Sequence, residues 1–193
     1  MLDHLIEWDK ELLIFLNSFH TPLLDPVMLV ITKTFFWLPL YVFLIYLIFR
    51  NFKKEAWFIL VGAAIVIVLS DQITSTLMKP FFARLRPSHD PSLASLLHHV
   101  SDYRGGRYGF SSGHAANTFG VALYVWLILR PVYKRIGLIF LWATLMTYTR
   151  IYLGVHFPGD IIVGATIGLG CGWIGYKISS YLGKRYTLNQ DSA

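Results

Sequence analysis

A single cysteine, Cys171, among 193 residues leaves neither a disulfide framework nor a cysteine metal site to build on. It lies in an apolar run, where a small packing residue is its plain reading. Charge is scarce too: charged residues make up 15% of the chain, with 11 acidic side chains against 17 Lys and Arg. Soluble domains carry about 25% charged and about 45–50% apolar residues. Here hydrophobic residues reach 55%, and the charges gather between long apolar runs. That excludes an ordinary soluble domain and points to an integral membrane protein. The N-terminus lacks a positively charged leader and has acidic residues early, so no cleavable signal peptide is expected. Neither linker nor internal repeat divides the chain, and residues 1–193 are read as one domain. The net charge of +6 comes without a basic face interleaved with aromatics, so nucleic acid is not an expected partner.

What is present is a set of apolar stretches. A spanning helix needs about 20 mostly apolar residues, and residues 26–49, 56–77, 114–129, 136–153 and 159–181 approach that. Lys33 and Pro39 interrupt the first, and splitting it would raise the count to six. Within residues 1–20, Leu2, Leu5, Ile6, Leu12, Leu13, Leu16 and Phe19 recur at helical spacing. Asp3, Glu7, Lys10 and Glu11 share the other side, as in an amphipathic helix lying at the membrane interface. The expected fold is all-α: a polytopic transmembrane helical bundle of five to six membrane helices with an N-terminal amphipathic interfacial helix. Gly164, Gly168 and Gly172 repeat the spacing that lets helix backbones approach closely, for packing within the chain rather than dimerisation.

With five spans, three basic groups fall on one side: Arg50, Lys53 and Lys54; Arg130, Lys134 and Arg135; Lys177, Lys184 and Arg185. The positive-inside rule makes that side cytoplasmic. The N-terminus, the long loop 79–112 and the connection 151–160 then face outward. Arg84, Arg86, Arg104 and Arg107 make the long loop basic as well, against the rule, which suggests chemical employment for them.

Three segments bring unusual polar residues to that outer face. "KPFFARLRP" supplies Lys79 and Arg86, "SSGH" supplies Ser112, Gly113 and His114, and "TRIYLGVHFPGD" supplies Arg150, His156 and Asp160. Lys79, Arg86 and Arg150 repel one another unless an anion sits between them. A phosphate, with about −1.5 to −2 charges, is such an anion and suits guanidinium forks. Gly113 permits close backbone approach, and a helix starting there adds N–H donors and a favourable dipole. Asp160, four residues after His156, can fix the imidazole tautomer so that the other nitrogen attacks phosphorus. His114 then protonates the leaving oxygen. The three cations neutralise the transition-state charge, so neither metal nor other cofactor is expected. "YGFSSG" also matches the G-x-S-x-G elbow of serine hydrolases, but an elbow needs a buried strand before it, and "SDYRGGRYGF" is a polar, glycine-rich loop.

Lys79-x6-Arg86-Pro87, Ser112-Gly113-His114 and Arg150-x5-His156-x3-Asp160 together resemble the three-part signature of the type 2 phosphatidic acid phosphatase superfamily, in its membrane branch. The resemblance implies His156 as nucleophile, Asp160 as its orienting partner and His114 as acid. It implies Lys79, Arg86, Ser112, Gly113 and Arg150 as phosphate binders. Ser111 stands where the family commonly has proline, and Thr149 where serine commonly precedes the arginine, Thr149 keeping a hydroxyl for the phosphate. The function expected is a metal-independent membrane lipid phosphatase at the outer face of a bacterial inner membrane, acting through a phosphohistidine. An outward-facing site favours undecaprenyl diphosphate; lipid A, phosphatidic acid and phosphatidylglycerol phosphate are the alternatives. An intramembrane serine hydrolase and a lipid carrier are the rival classes. Arg104 and Arg107 are candidate headgroup contacts. Asp71 calls for a partner inside the bundle. His89, His98 and His99 are assigned to headgroup recognition or plain exposure, and "PSLASLLHHV" to a short interfacial helix.

Overall fold

The structure, a computed structural model, describes residues 2–191, with side chains for residues 3–186. The described residues form the helices α1 (Leu2–Asn17), α2 (Leu24–Ile31), α3 (Leu38–Phe52), α4 (Ala56–Asp71), α5 (Lys79–Phe82), α6 (Gly113–Leu129), α7 (Ile139–Tyr152) and α8 (Pro158–Asp191). A π-helical stretch, Gln72–Met78, carries α4 into α5 without a break. The one β pairing among the described residues is an isolated antiparallel bridge between Leu85 and Tyr108. The helical stretches Thr34–Phe82 and Pro158–Tyr186 are long and apolar enough to cross a membrane, and Gly113–Leu129 is a shorter apolar helix. Val42, Ile67, Leu141, Ile162 and Trp173 stay exposed on the outer surfaces of the helices, a distribution suited to lipid rather than water.

The first expected span is split. α2 stops at Ile31, Lys33 is extended (φ −80°, ψ 129°), and a 3-10 turn leads into α3, which has Pro39 in its first turn. Proline is tolerated there because its missing N–H would have no helical acceptor. "PSLASLLHHV" forms turns rather than a helix, with Leu93 N and Ala94 N both bonded to the Asp90 carbonyl. Leu93 and Leu97 are still buried, against Leu13 of α1 and Phe157.

α6 and α8 pack backbone to backbone. A side-chain carbon at Gly164, Gly168 or Gly172 would run into the carbonyl oxygens of Ser112, Ala116 and Gly120 respectively. The glycine stripe is therefore spent within the chain, one residue per turn of α8 against α6. α3, α4 and α7 close around this pair over a core that includes Leu44, Val66, Tyr124, Leu129 and Met146. The Tyr124 hydroxyl donates to the Ile59 carbonyl at 2.6 Å, satisfying a polar group that would otherwise be buried without a partner.

The basic groups do gather at one end. Asn51 donates to the Tyr133 hydroxyl at 3.0 Å, and Phe58 meets Tyr186 with ring centroids 5.3 Å apart. The opposite end holds α1, the long loop and the starts of α6 and α8.

Candidate active site

The site is built where two helices begin and one ends. Ser112 caps α6, its hydroxyl oxygen accepting from Ala115 N at 3.4 Å, and its own backbone N–H donates to the Asp160 carbonyl at 3.0 Å. Helix geometry leaves the N–H groups of Gly113 and His114 without intrahelical acceptors. α7 ends in a Schellman motif: Val155 N bonds the Arg150 carbonyl at 3.0 Å and Gly154 N the Ile151 carbonyl at 2.9 Å. Gly154 supplies the required positive φ of 65°, and a side chain there would also meet the His99 ring. The chain then turns directly through His156 into α8. Asp160 accepts from Phe157 N at 3.1 Å, the carboxylate half of a capping box, which places the same oxygen, Oδ2, 3.3 Å from His156 Nδ1.

His156 and Asp160 are buried, at 1% and 0% exposure. Because Nδ1 faces the carboxylate, Nε2 is the nitrogen left to react. Burial, reinforced by the charges of Arg86, Arg150, Lys79 and Arg84, holds the His156 imidazole well below its ordinary range, so at neutral pH it is unprotonated and nucleophilic.

Arg86 is held by its backbone pairing with Arg107, by Nε donating to the Tyr108 carbonyl at 3.1 Å, and by Nη1 reaching the Val155 carbonyl at 3.5 Å. Burial, with Arg150 nearby, lowers its guanidinium to about 10, which leaves it charged at neutral pH. Arg150 is 2% exposed; Nη1 donates to Thr32 at 2.8 Å, Nη2 to the Tyr103 hydroxyl at 3.1 Å, and Nε has no hydrogen-bond partner. Lys79 donates to Ser75 at 3.1 Å, and a carbon built on Gly113 would lie 3.8 Å from its ammonium. His114 is within electrostatic reach of Arg150, His156, Arg86 and Lys79. All eight residues expected in the centre are therefore drawn together: two histidines, one carboxylate, three cations and the Ser112–Gly113 start of α6.

Several peripheral expectations change. Asp71 is exposed, and its partner is Ser75 one turn along the same helix, at 3.0 Å, rather than a residue inside the bundle; through Ser75 it backs Lys79. The Thr149 hydroxyl is buried and engaged with Met146 and Thr32, so it supports the Arg150 partner instead of reaching a phosphate. Arg104 sits 3.9 Å from Asp102, and Arg107 lies over the Tyr108 ring at 5.6 Å, both at the rim. His98 is packed rather than free, bonded to Asp25 at 2.9 Å and stacked on His20 at 3.8 Å, while His99 reaches the Ala94 carbonyl. His89 pairs with Ser88. The Ser111 hydroxyl is buried with no hydrogen-bond partner, so no base activates it.

The sequence reading missed Asp9, Thr32 and Tyr103 as parts of the centre, and it marked Arg84 as chemically employed without giving it a partner or a place there. Arg84 bridges Asp160 Oδ1 (3.0 Å) and Asp9 Oδ2 (2.8 Å) and lies over the Phe157 ring at 3.8 Å. Two cavities, of about 340 and 330 Å³, meet at His114 and Thr34. The first is an apolar groove between α3, α4, α6 and α7, lined by residues such as Tyr41, Ile48, Ala63, Val121 and Trp142. The second includes Thr32, Lys33 and Tyr103.

Comparison with known proteins bears on this arrangement. The family profile described as the PAP2 superfamily matches residues 60–184. The chain is 39% identical over 187 residues to a lipid A 4'-phosphatase of Bacteroides thetaiotaomicron, covering 96% of this chain and 83% of that protein. It is 29% identical over 181 residues to an undecaprenyl-diphosphatase of Sulfolobus acidocaldarius, covering 91% and 80%. Among solved structures it is similar to LpxE of Aquifex aeolicus, with a TM-score of 0.64, 31% identity, and 86% and 93% of the two chains covered.

Proposed function

The chain belongs to the PAP2 superfamily of membrane phosphatases, and on that premise we propose that it removes a phosphate from a lipid A-type lipid by way of a phosphohistidine. The observation that carries the reading is the buried His156–Asp160 pair set among Lys79, Arg86 and Arg150 at the start of α6. His156 Nε2 attacks phosphorus as the P–O bond to the lipid oxygen breaks, and His114 delivers a proton to that oxygen. Asp160 accepts the Nδ1–H bond and balances the charge that develops on the ring. Arg86, Arg150, Lys79, the Ser112 hydroxyl and the first-turn N–H groups of α6 hold the phosphate oxygens. Water then attacks the phosphohistidine with His114 as base, releasing inorganic phosphate and restoring His156.

The apolar groove that reaches His114 supports a substrate with a hydrocarbon tail. The undecaprenyl diphosphate first expected from the sequence gives way to a lipid A-type phosphate, because the relative of higher identity is a lipid A 4'-phosphatase. Undecaprenyl diphosphate stands as the second reading, favoured by the relative at 29% identity. The site faces away from the three basic loops, which supports the reading that it acts on the periplasmic side of an inner membrane. Arg104 and Arg107, at the rim of that face, are assigned to the anionic headgroup.

The test is phosphate release by purified protein in detergent from lipid A, undecaprenyl diphosphate and phosphatidic acid, with chelator and with vanadate. Expected are preference for lipid A, persistence in chelator and inhibition by vanadate. His156→Ala is expected to lose about 10³-fold or more in kcat, the scale of losing a nucleophile. Full activity of His156→Ala would refute the phosphohistidine route.

A further inference from the structure

We propose that Asp9 and Arg84 are positioning residues, a charge relay from the N-terminal surface helix that sets how strongly Asp160 supports His156. The inference rests on the assignment of His156 as nucleophile.

The two oxygens of Asp160 have separate duties. Oδ2 serves His156 Nδ1 at 3.3 Å and Phe157 N at 3.1 Å, and Oδ1 accepts from Arg84 Nη1 at 3.0 Å. The other arm of the same guanidinium donates to Asp9 Oδ2 at 2.8 Å, and Asp9 Oδ1 accepts from Gly159 N at 2.7 Å. Arg84 is thus gripped in the plane of its fork, with Phe157 against its face at 3.8 Å. A guanidinium whose two arms are held by separate carboxylates is fixed in orientation as well as in charge. The pairs are well shielded, with side-chain exposures of 28% for Arg84, 15% for Asp9 and 0% for Asp160.

The charges alternate in a line: Asp9 negative, Arg84 positive, Asp160 negative, then His156. When Nε2 bonds to phosphorus the imidazole becomes a cation, and the stabilisation Asp160 gives depends on how much of its charge Arg84 already draws. Asp9 satisfies the far arm of Arg84 and draws back part of that pull. Without Asp9, Arg84 bears on Asp160 alone, in a site already crowded by Lys79, Arg86 and Arg150. Asp9 also caps α8 from another helix through Gly159 N, so it holds the start of the turn that carries Asp160.

Asp9 comes from α1, whose inward face is Asp9, Leu13 and Asn17, with Leu13 fully buried. Leu5, Trp8, Leu12 and Phe15 point outward and are 45–65% exposed. The helix with this exposed apolar face therefore also presents the outermost charge of the relay.

The experiment is steady-state hydrolysis of a lipid phosphate in detergent micelles, with thermal midpoints, for wild type, Asp9→Asn, Asp9→Glu, Arg84→Gln, the double variant Asp9→Asn/Arg84→Gln, and His156→Ala. Asparagine can still accept from Gly159 N, so the cap survives while the charge is lost. Asp9→Asn is expected to lower kcat about 10-fold with KM changed less than about 2-fold and the thermal midpoint held. Asp9→Glu restores most of the rate. In the Arg84→Gln background the Asp9→Asn change adds nothing further, as for residues acting through one another. Wild-type kcat in Asp9→Asn, or the same fractional loss with and without Arg84, would overturn the proposal. Should Asp9→Asn lower the midpoint, the Asp9→Glu rescue and the Arg84→Gln cycle decide the matter by the same criteria. Activity retained by His156→Ala would instead remove the nucleophile assignment on which it rests.

Discussion

The backbone N–H of Ser112 donates to the backbone carbonyl of Asp160 at 3.0 Å, so α6 and α8 begin side by side. The start of α6, with its free first-turn N–H groups, carries a partial positive charge of roughly half a unit that adds to Lys79, Arg86 and Arg150, whereas the start of α8 is capped by the Asp160 and Asp9 carboxylates. A centre with that much positive potential and one buried carboxylate is suited to a dianion before any side chain is asked to react. The same contact puts His114, on the first turn of α6, beside the His156–Asp160 turn that opens α8. The two histidines proposed as acid and nucleophile are thus held by one helix pair.

Protonation of His156 gives a prediction about stability. Burial and its cationic neighbours hold the folded imidazole below its ordinary value, whereas the unfolded chain binds that proton near pH 6.5. The stabilisation is complete above pH 6.5. It is lost as pH falls, by up to about 1.4 kcal/mol per pH unit, until the folded site itself takes the proton. Thermal midpoints in detergent should drop between pH 7 and pH 5 for the wild type and drop less for His156→Gln. Identical pH slopes for the two proteins would show that His156 is not the group responsible.

The parts of the centre that the sequence displays are those with local spacing. Lys79 and Arg86, Ser112 to His114, and Arg150 to Asp160 each lie within one helix end or turn, where a few residues of chain dictate the geometry. Asp9 and Arg84 are 75 residues apart, and Thr32 and Arg150 are 118 apart. Such pairs leave no periodicity to read, because packing of α1 and α2 against the α7–α8 corner is what creates them. The helical bundle was legible from apolar stretches, and the α8 glycines announced close packing. The break at Thr32–Lys33 was only half legible: Lys33 marked an interruption, but the reason lies in Thr32 turning to meet Arg150 and Thr149. Similarly, the apolar residues of "PSLASLLHHV" matched a helix, yet they reach the core from turns pinned by Asp90.

The glycine stripe predicts a contrast between two neighbouring positions. A methyl at Gly168 would strike the Ala116 carbonyl oxygen, whereas one at Gly170 meets nothing within 4 Å. Gly168→Ala must push α6 and α8 apart, an overpacking cost of about 1–3 kcal/mol, and should also lower kcat by loosening the Ser112–Asp160 contact. Gly170→Ala should leave both the thermal midpoint and the rate near wild type. Equal behaviour of the two variants would rule out α6–α8 contact as the use of the stripe.

Arg150 predicts an effect at a distance from the three motifs. Its two terminal nitrogens are held by Thr32 and Tyr103 in a site where the residue is 2% exposed. Tyr103→Phe removes one partner of a buried charge, a loss of about 1.5–3 kcal/mol. The expected result is a fall in kcat/KM of roughly 10- to 100-fold and weaker inhibition by vanadate, measured by dose–response at fixed substrate. Unchanged vanadate affinity would mean that Arg150 keeps its aim without Tyr103.

The apolar groove gives the last prediction, and it separates tail from headgroup. Val121 lines that groove from α6, on the same helix as His114 but about two turns away. Val121→Trp would fill the space that a lipid tail occupies while leaving the phosphate cage untouched. Excluding two to three methylenes, at about 0.8 kcal/mol each, costs about 2 kcal/mol of binding, or roughly 30-fold in kcat/KM. The loss should appear with a long-chain lipid phosphate and vanish with a short water-soluble phosphomonoester, whose hydrolysis depends on the cage alone. Parallel losses on both substrates would place the damage at His114 instead of in the groove, and no loss on either would show that the tail lies elsewhere.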